Sequence, residues 1–386
     1  MRIADVCAFY SPQGGGVRTY IEQKLALSGA LGVDMTVIVP GDDDRLEERG
    51  GSARIVTLRA PRLPVDRKYG YFDDEAAIHS ALDRWAPDLV EASSPWRSPA
   101  MVATWRPDIP KSLVMHADPL AAYAYRYLGP FMTRAQIDKR CEGYWRHLRR
   151  LGAAFATIIC ANEQLAGRLR AGGVAGVQTL PMGVQAGLFS PQRRDLALRQ
   201  ELLRRCELGD DAILLIAAGR LAAEKRIPML IEAVTSVGRH WPVGMVIIGE
   251  GREKGSLLKS IAGNPHIRVL PPERNRAHFA TILASADALI HGCEAETFCM
   301  VAAEARASGI PVIVPDLGGA ADFAREGGGL TFQAGSGSDV ARAIREFAEM
   351  GFRGARDEKS RTMEDHFTEL FGSYRAIIEA QRVRAA

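Results

Sequence analysis

The stretch SPQGGGVRTY, residues 11–20, sets Gly14, Gly15 and Gly16 between an apolar run, RIADVCAFY, and a segment of helical pattern, VRTYIEQKLALSGAL. Glycine reaches φ > 0 and lets a ligand approach with no Cβ in the way. A helix N-terminus adds free N–H groups and partial positive charge. The combination suits an anion, phosphate above all, although a plain tight turn uses the same residues. The spacing fits neither the dinucleotide fingerprint nor the P-loop. Other polar residues and glycines also stand just past apolar runs. These are His116 after KSLVM, Arg220 after AILLIAAG, Gly249 and Gly251 around MVII-GEG, Glu296 past ALIHG, and Gly318–Gly319 past PVIVPD. An imidazole, a guanidinium and a carboxylate at strand ends are material for a ligand site, yet α/β loops are polar in any case.

The elements that would position them are short β-branched runs alternating with helical patterns, which predicts an α/β protein with parallel sheets. Six strand candidates lie in the first half: RIADVCAFY, DMTVIVP, ARIVTL, DLVEAS, KSLVMHA and ATIICA. Six more follow residue 210: AILLIAAG, GMVIIGEG, HIRVL, ALIHG, IPVIVP and GLTF. A chain of 386 residues exceeds what one core sustains, so two doubly wound Rossmann-like halves are expected. The joint falls near residue 185, in LPMGVQAGLFSPQRRD, giving expected domains over 1–184 and 185–365 and a terminal helix over 366–386. A cleft between the carboxyl ends of the two sheets is where such a pair binds ligands. Lys plus Arg 49 against Asp plus Glu 46 argues against general nucleic-acid binding. Six cysteines without CxxC or zinc spacing read as reduced thiols of a cytoplasmic protein. No charged-then-apolar leader opens the sequence, and no apolar run approaches membrane-spanning length.

The segment HGCEAETFCMVAAEARASGIPVIVPDLGG, residues 291–319, resembles the retaining nucleotide-sugar glycosyltransferases of family 4, which have the GT-B fold. ETFCMVAAE carries their E-x7-E motif, with Glu296 first and Glu304 second. The resemblance extends to GRLAAEKRIPMLIEA, IIGEG, the linker PMGVQAGLFSP and the opening GGGVRTY, and so covers most of the chain. It implies an acceptor-binding first domain, a donor-binding second domain and a terminal helix that returns to the first. It also implies site roles. Arg220 and Lys225 grip the diphosphate, Glu296 lies beside the donor sugar, Glu304 accepts from the ribose hydroxyls, and His116 contacts the sugar. Gly15 and Gly16 close over the diphosphate, Gly249 and Gly251 lie near the base pocket, and Gly318–Gly319 shape the sugar pocket. Lys225–Arg226 departs from the family's frequent Lys-Gly but keeps the cation.

Charge builds on the leaving phosphate during such a transfer, so fixed donors and cations should carry the catalysis. With Thr297 or a neighbour as cap, the N–H groups of Phe298, Cys299 and Met300 would meet the distal phosphate. Front-face substitution is the expected route, with no metal and no other cofactor. The resemblance puts a UDP-sugar first as donor and a GDP-sugar second. A nucleotide-sugar 2-epimerase of the same architecture is the alternative. A dehydrogenase lacks its fingerprint here, and a sugar-binding protein would need export. GDDDR, residues 41–45, imitates a metal motif but reads as a solvated acidic loop. Asp118 orients the His116 ring or meets acceptor. The acceptor is a lipid or lipid-linked glycan, and residues 123–150, with seven Lys/Arg interleaved with aromatics, are a candidate contact with an anionic membrane surface.

Overall fold

The computed structural model describes residues 1–10, 15–64, 69–351 and 360–385. It divides into two compact units, one of residues 1–182 with 363–386 and one of residues 183–362.

The first unit holds β1 (Arg2–Cys7), β2 (Asp34–Gly41), β3 (Arg45–Glu48), β4 (Ala53–Arg59), β5 (Leu89–Ser93), β6 (Lys111–Val114), β7 (Thr157–Cys160) and β8 (Val177–Thr179). Its sheet runs β3-β4-β2-β1-β5-β6-β7-β8. Every pairing is parallel except β3 with β4. The expected acidic loop is therefore partly an edge strand. Arg45–Glu48 hydrogen-bonds on one side only, so its charged side chains stay in water, a common way to blunt a sheet edge. Asp42, the head of that stretch, forms a forked ion pair with Arg62.

Strands β1 and β5 are neighbours although three other strands separate them in sequence, so the chain reverses direction of winding between them. Their register sets Asp5 opposite Glu91. Both carboxylates are fully buried and share the ammonium of Lys24 from the Gly16–Ser28 helix, with Nζ 2.9 Å from Asp5 Oδ2. Ser93 Oγ donates to Asp5 and Tyr374 Oη to Glu91. Burial pushes Glu91 up to about 7 although Lys24 opposes it. Tyr374 belongs to the closing helix Met363–Ala385, whose Phe367, Leu370 and Phe371 are fully buried. Phe367 packs on Tyr20 at 5.1 Å between centroids. The last helix is thus held to the first unit by an aromatic stripe and a buried charge cluster.

The second unit holds β9 (Ile213–Ala218), β10 (Val243–Ile248), β11 (Ile267–Leu270), β12 (Ala288–Ile290), β13 (Val312–Pro315) and β14 (Gly329–Phe332). They form an all-parallel sheet, β11-β10-β9-β12-β13-β14. Its strands read as near-continuous apolar runs because helices cover both faces. Here the winding reverses between β9 and β12, and the crevice past the carboxyl ends of such a pair is where open α/β sheets bind ligands.

Candidate active site

Four loops of the second unit meet past β9, β10, β12 and β13, and glycines let them touch. A Cβ on Gly249 would stand 2.0 Å from Gly219 O, and one on Gly251 would stand 2.1 Å from Leu221 O. The Leu221 N–H donates to Glu250 O at 2.9 Å. Gly249 and Gly251 therefore lock their loop onto the turn that carries Arg220. A Cβ on Gly292 would stand 2.6 Å from Lys225 O. Gly318, at φ 79°, and Gly319 back the segment Glu294–Phe298, where the Gly319 N–H donates to Glu296 O at 2.7 Å. A Gly319 Cβ would meet Thr297 O at 2.7 Å and the Phe298 backbone at 2.8 Å. Backbone cannot rotate aside as a side chain does. Gly319→Ala is thus expected to displace the Glu296 loop and cost about 1–3 kcal/mol of stability, the usual scale of overpacking. Thermal unfolding with parallel nucleotide-sugar titration checks this; unchanged stability and affinity would contradict it.

Lys225 ends a short 3-10 turn, Ala223–Lys225, and its ammonium bonds the carboxylate of Glu296. Both side chains are largely buried. Burial alone would lower the Lys225 ammonium, but Glu296 outweighs it and holds it up. For Glu296, burial works upward, and Lys225 with His291 overrides it and holds the carboxyl well below its ordinary range. His291 Nε2 lies 3.4 Å from Glu296 Oε1. Arg220 is over half exposed and pairs with Glu224 at 2.8 Å. An exposed pair of this sort is worth at most about 1 kcal/mol, so a phosphate can capture the guanidinium cheaply. Arg220, Lys225 and His291 line one hollow with Gly219, Leu221 and Ile290.

Glu296 precedes the helix Met300–Ala307, as the sequence suggests, but the cap is not Thr297. Cys299 stands at the N-cap with φ 74° and no capping side-chain bond. The helix N-terminus begins at Met300, two positions later than a Thr297 cap implies. Glu304 lies on that helix, 4 % exposed, and its carboxylate pairs with Arg276. Burial raises the Glu304 carboxyl against the pull of Arg276. Arg276 opens the helix Arg276–Ser285 and lies over the Phe189 and Phe279 rings at 5.1 and 5.6 Å. Sequence reasoning missed Arg276 and His291. Nothing in ERNRAHF separates one arginine from its neighbours, and His291 read only as the end of ALIHG.

The other sequence-derived residues belong to the first unit. Gly15, at φ 111°, caps the Gly16–Ser28 helix, and both glycines are exposed; Gly14 lies outside the described residues. His116 follows β6, with its ring edge-on to Tyr20 at 4.7 Å. Burial, opposed by Asp5 and aided by Lys24, brings its imidazole down to about 4. It is therefore neutral near pH 7. The Asp118 carboxylate takes Arg168 and the Ala121 N–H.

His291, Glu296 and Cys299 are the His, Cys or carboxylate group that could hold a metal ion among the described residues. The Lys225 ammonium already occupies the Glu296 carboxylate.

Residues 199–364 match the family described as glycosyl transferases group 1, and residues 15–185 match the glycosyl transferase 4-like domain. The chain is 28% identical to a GDP-mannose-dependent alpha-mannosyltransferase of Mycobacterium tuberculosis (strain CDC 1551 / Oshkosh), over 100% of this chain and 99% of that one. It is 30% identical to a D-inositol 3-phosphate glycosyltransferase of Actinosynnema mirum, over 83% and 75%. It is 28% identical to a GDP-mannose-dependent alpha-(1-6)-phosphatidylinositol dimannoside mannosyltransferase of M. tuberculosis (strain ATCC 25177 / H37Ra), over 81% and 79%. Among solved structures it resembles sucrose-phosphate synthase from Thermosynechococcus elongatus, with TM-score 0.69 and 17% identity over 100% and 99% of the chains. Anabaena HepE with UDP and glucose gives 0.65 and 15% over 100% and 99%. Two parallel-sheet α/β units with these likenesses make the fold GT-B.

Proposed function

Since the chain belongs to the glycosyl transferases group 1 family and is a glycosyltransferase, we propose that it moves mannose from GDP-mannose to a hydroxyl of a phosphatidylinositol-type lipid. The transfer retains the anomeric configuration and uses no metal ion. The observation that carries this reading is the Lys225–Glu296 pair, held beside Arg220 by the glycine contacts at the winding reversal of the second unit. Two cations fixed where a diphosphate would lie stabilise the charge that develops on it as the sugar departs. Glu296 then turns to the sugar, and Glu304 gives its carboxylate to the ribose hydroxyls once Arg276 lets go. The backbone N–H groups at Met300, with Thr297, Phe298 and Cys299 leading into them, face the distal phosphate. Gly15, Gly16 and the neutral His116 serve the same transfer from the first unit. The acceptor hydroxyl attacks the face that the diphosphate leaves, and the departing phosphate takes its proton. Sequence relatives named for GDP-mannose support guanine over uracil, which reverses the sequence-based order of UDP before GDP. Relatives named as transferases also leave the 2-epimerase alternative without support.

The test is a panel of UDP- and GDP-sugars, read by thermal shift and by transfer to phosphatidylinositol vesicles. A donor at 100 times its dissociation constant adds about 2.7 kcal/mol to stability. Stabilisation by GDP-mannose, with an α-linked mannolipid as product, is the expected result. Stabilisation by UDP-sugars alone, or an inverted product, contradicts it.

No helix among the described residues is long and apolar enough to cross a membrane. Contact with lipid is assigned to residues 123–150. Trp145 and Ile137 of that segment turn into the core, but Tyr123, Tyr127 and Phe131 are exposed, Phe131 by 84 %. Arg134, Lys139, Arg140, Arg146 and Arg150 of the same segment are exposed. Apolar rings with a basic fringe suit an anionic surface. The chain should co-sediment with vesicles containing phosphatidylinositol and less with neutral ones, and Phe131→Ser should weaken it. Equal recovery on both vesicles would remove this assignment.

A further inference from the structure

We propose that His291, Glu296 and Cys299 form a binding site for a soft divalent cation of the zinc class. All three stand between β12 and the helix Met300–Ala307, and their nitrogen, oxygen and sulfur atoms lie within 4.8 Å of one another. Four-coordinate zinc takes N, O and S ligands at about 2.0–2.3 Å, which puts the ligand atoms themselves roughly 3.3–3.8 Å apart. His291 Nε2 and Glu296 Oε1, 3.4 Å apart, already meet that requirement. The thiol has only to close in by a small side-chain movement. His291 is 4 % exposed, and its Nε2 makes no hydrogen bond among the described residues beyond this approach to Glu296.

The third partner is held at a backbone cost. Cys299 has φ 74°, in the left-handed region that glycine takes freely and other residues take with strain. Such strain persists only where the surroundings over-determine it. Here it accompanies a buried sulfur that stands within 4.8 Å of an imidazole nitrogen and a carboxylate oxygen.

Binding forms a metal–sulfur bond, and the Cys299 thiol releases its proton to solvent; a water completes the coordination. No electrons change hands. The Lys225 ammonium must leave Glu296 to make room, so the ion undoes the arrangement that holds a donor diphosphate. That last consequence, inhibition, rests on the function proposed above; the binding does not.

Co²⁺ is the probe, added to the full chain without donor or acceptor. The expected result is a thiolate-to-cobalt charge-transfer band in the near ultraviolet that Zn²⁺ abolishes by displacement. Cys299→Gly should lose the band while folding normally, since glycine suits that φ. His291→Gln should weaken binding. Cys141→Ser, which removes a half-buried thiol elsewhere, should leave the band intact. No band in the unaltered chain, or a band that survives Cys299→Gly, overturns the proposal. The readout needs no turnover, so its failure leaves the transferase reading standing.

Discussion

Lys225→Ala is expected to cut turnover at least about a hundredfold, the scale of losing one preorganised transition-state donor. The substitution removes a cation from the place where leaving-group charge builds, and it frees the Glu296 carboxylate from its main partner. Burial then acts on Glu296 with only His291 to oppose it. A carboxyl raised this way no longer presents a fixed negative charge to the sugar. The loss should therefore appear mainly in kcat, with a smaller change in KM. Arg220→Ala removes the second cation and shares the hundredfold expectation. Lys225→Arg keeps the charge but not the compact ammonium, so it should recover only part of the rate. Steady-state kinetics on variants whose thermal unfolding is checked in parallel decides the matter. Full activity in Lys225→Ala would remove the residue from the mechanism.

Lys24→Met should destabilise the first unit by about 3–5 kcal/mol, the cost of breaking a buried ion pair by deleting one partner. Methionine keeps the apolar stem, so the loss reports the charge. Asp5 and Glu91 would be left facing each other across β1 and β5 with no cation between them. The closing helix should loosen with them, because Tyr374 donates to Glu91. Four of the five tryptophans, Trp85, Trp96, Trp105 and Trp145, lie in the first unit. Denaturant unfolding followed by tryptophan fluorescence therefore reports that unit. A companion variant carrying Asp5→Asn and Glu91→Gln as well should regain part of the loss. A shift below about 1 kcal/mol in Lys24→Met would show that the cluster is not what binds the helix.

Twelve strands were legible because parallel strands, covered on both faces, read as apolar runs between loop residues. Two were not. The edge strand Arg45–Glu48 has no buried face to impose alternation, and Val177–Thr179 is too short to carry a pattern. In the site, position along the chain marked Arg220, Glu296 and the glycines, since the ends of strands are where this fold puts ligands. The reason for Gly249, Gly251 and Gly319 was hidden: each is set by a backbone brought close only by the fold. Pairings across long separations were hidden too. Lys225 with Glu296, Arg276 with Glu304, and Lys24 with Asp5 and Glu91 each join residues far apart along the chain, whose meeting no local pattern announces. Cys299 gave no sign of its left-handed backbone, because cysteine is not a residue that such a turn predicts.

The most direct test is a crystal structure of the chain with GDP-mannose bound. The diphosphate oxygens are expected within hydrogen-bonding distance of the Arg220 guanidinium, the Lys225 ammonium and the Met300 N–H, with Glu304 on the ribose in place of Arg276. A donor seated elsewhere, with the Lys225–Glu296 and Arg276–Glu304 pairs undisturbed, would contradict the account.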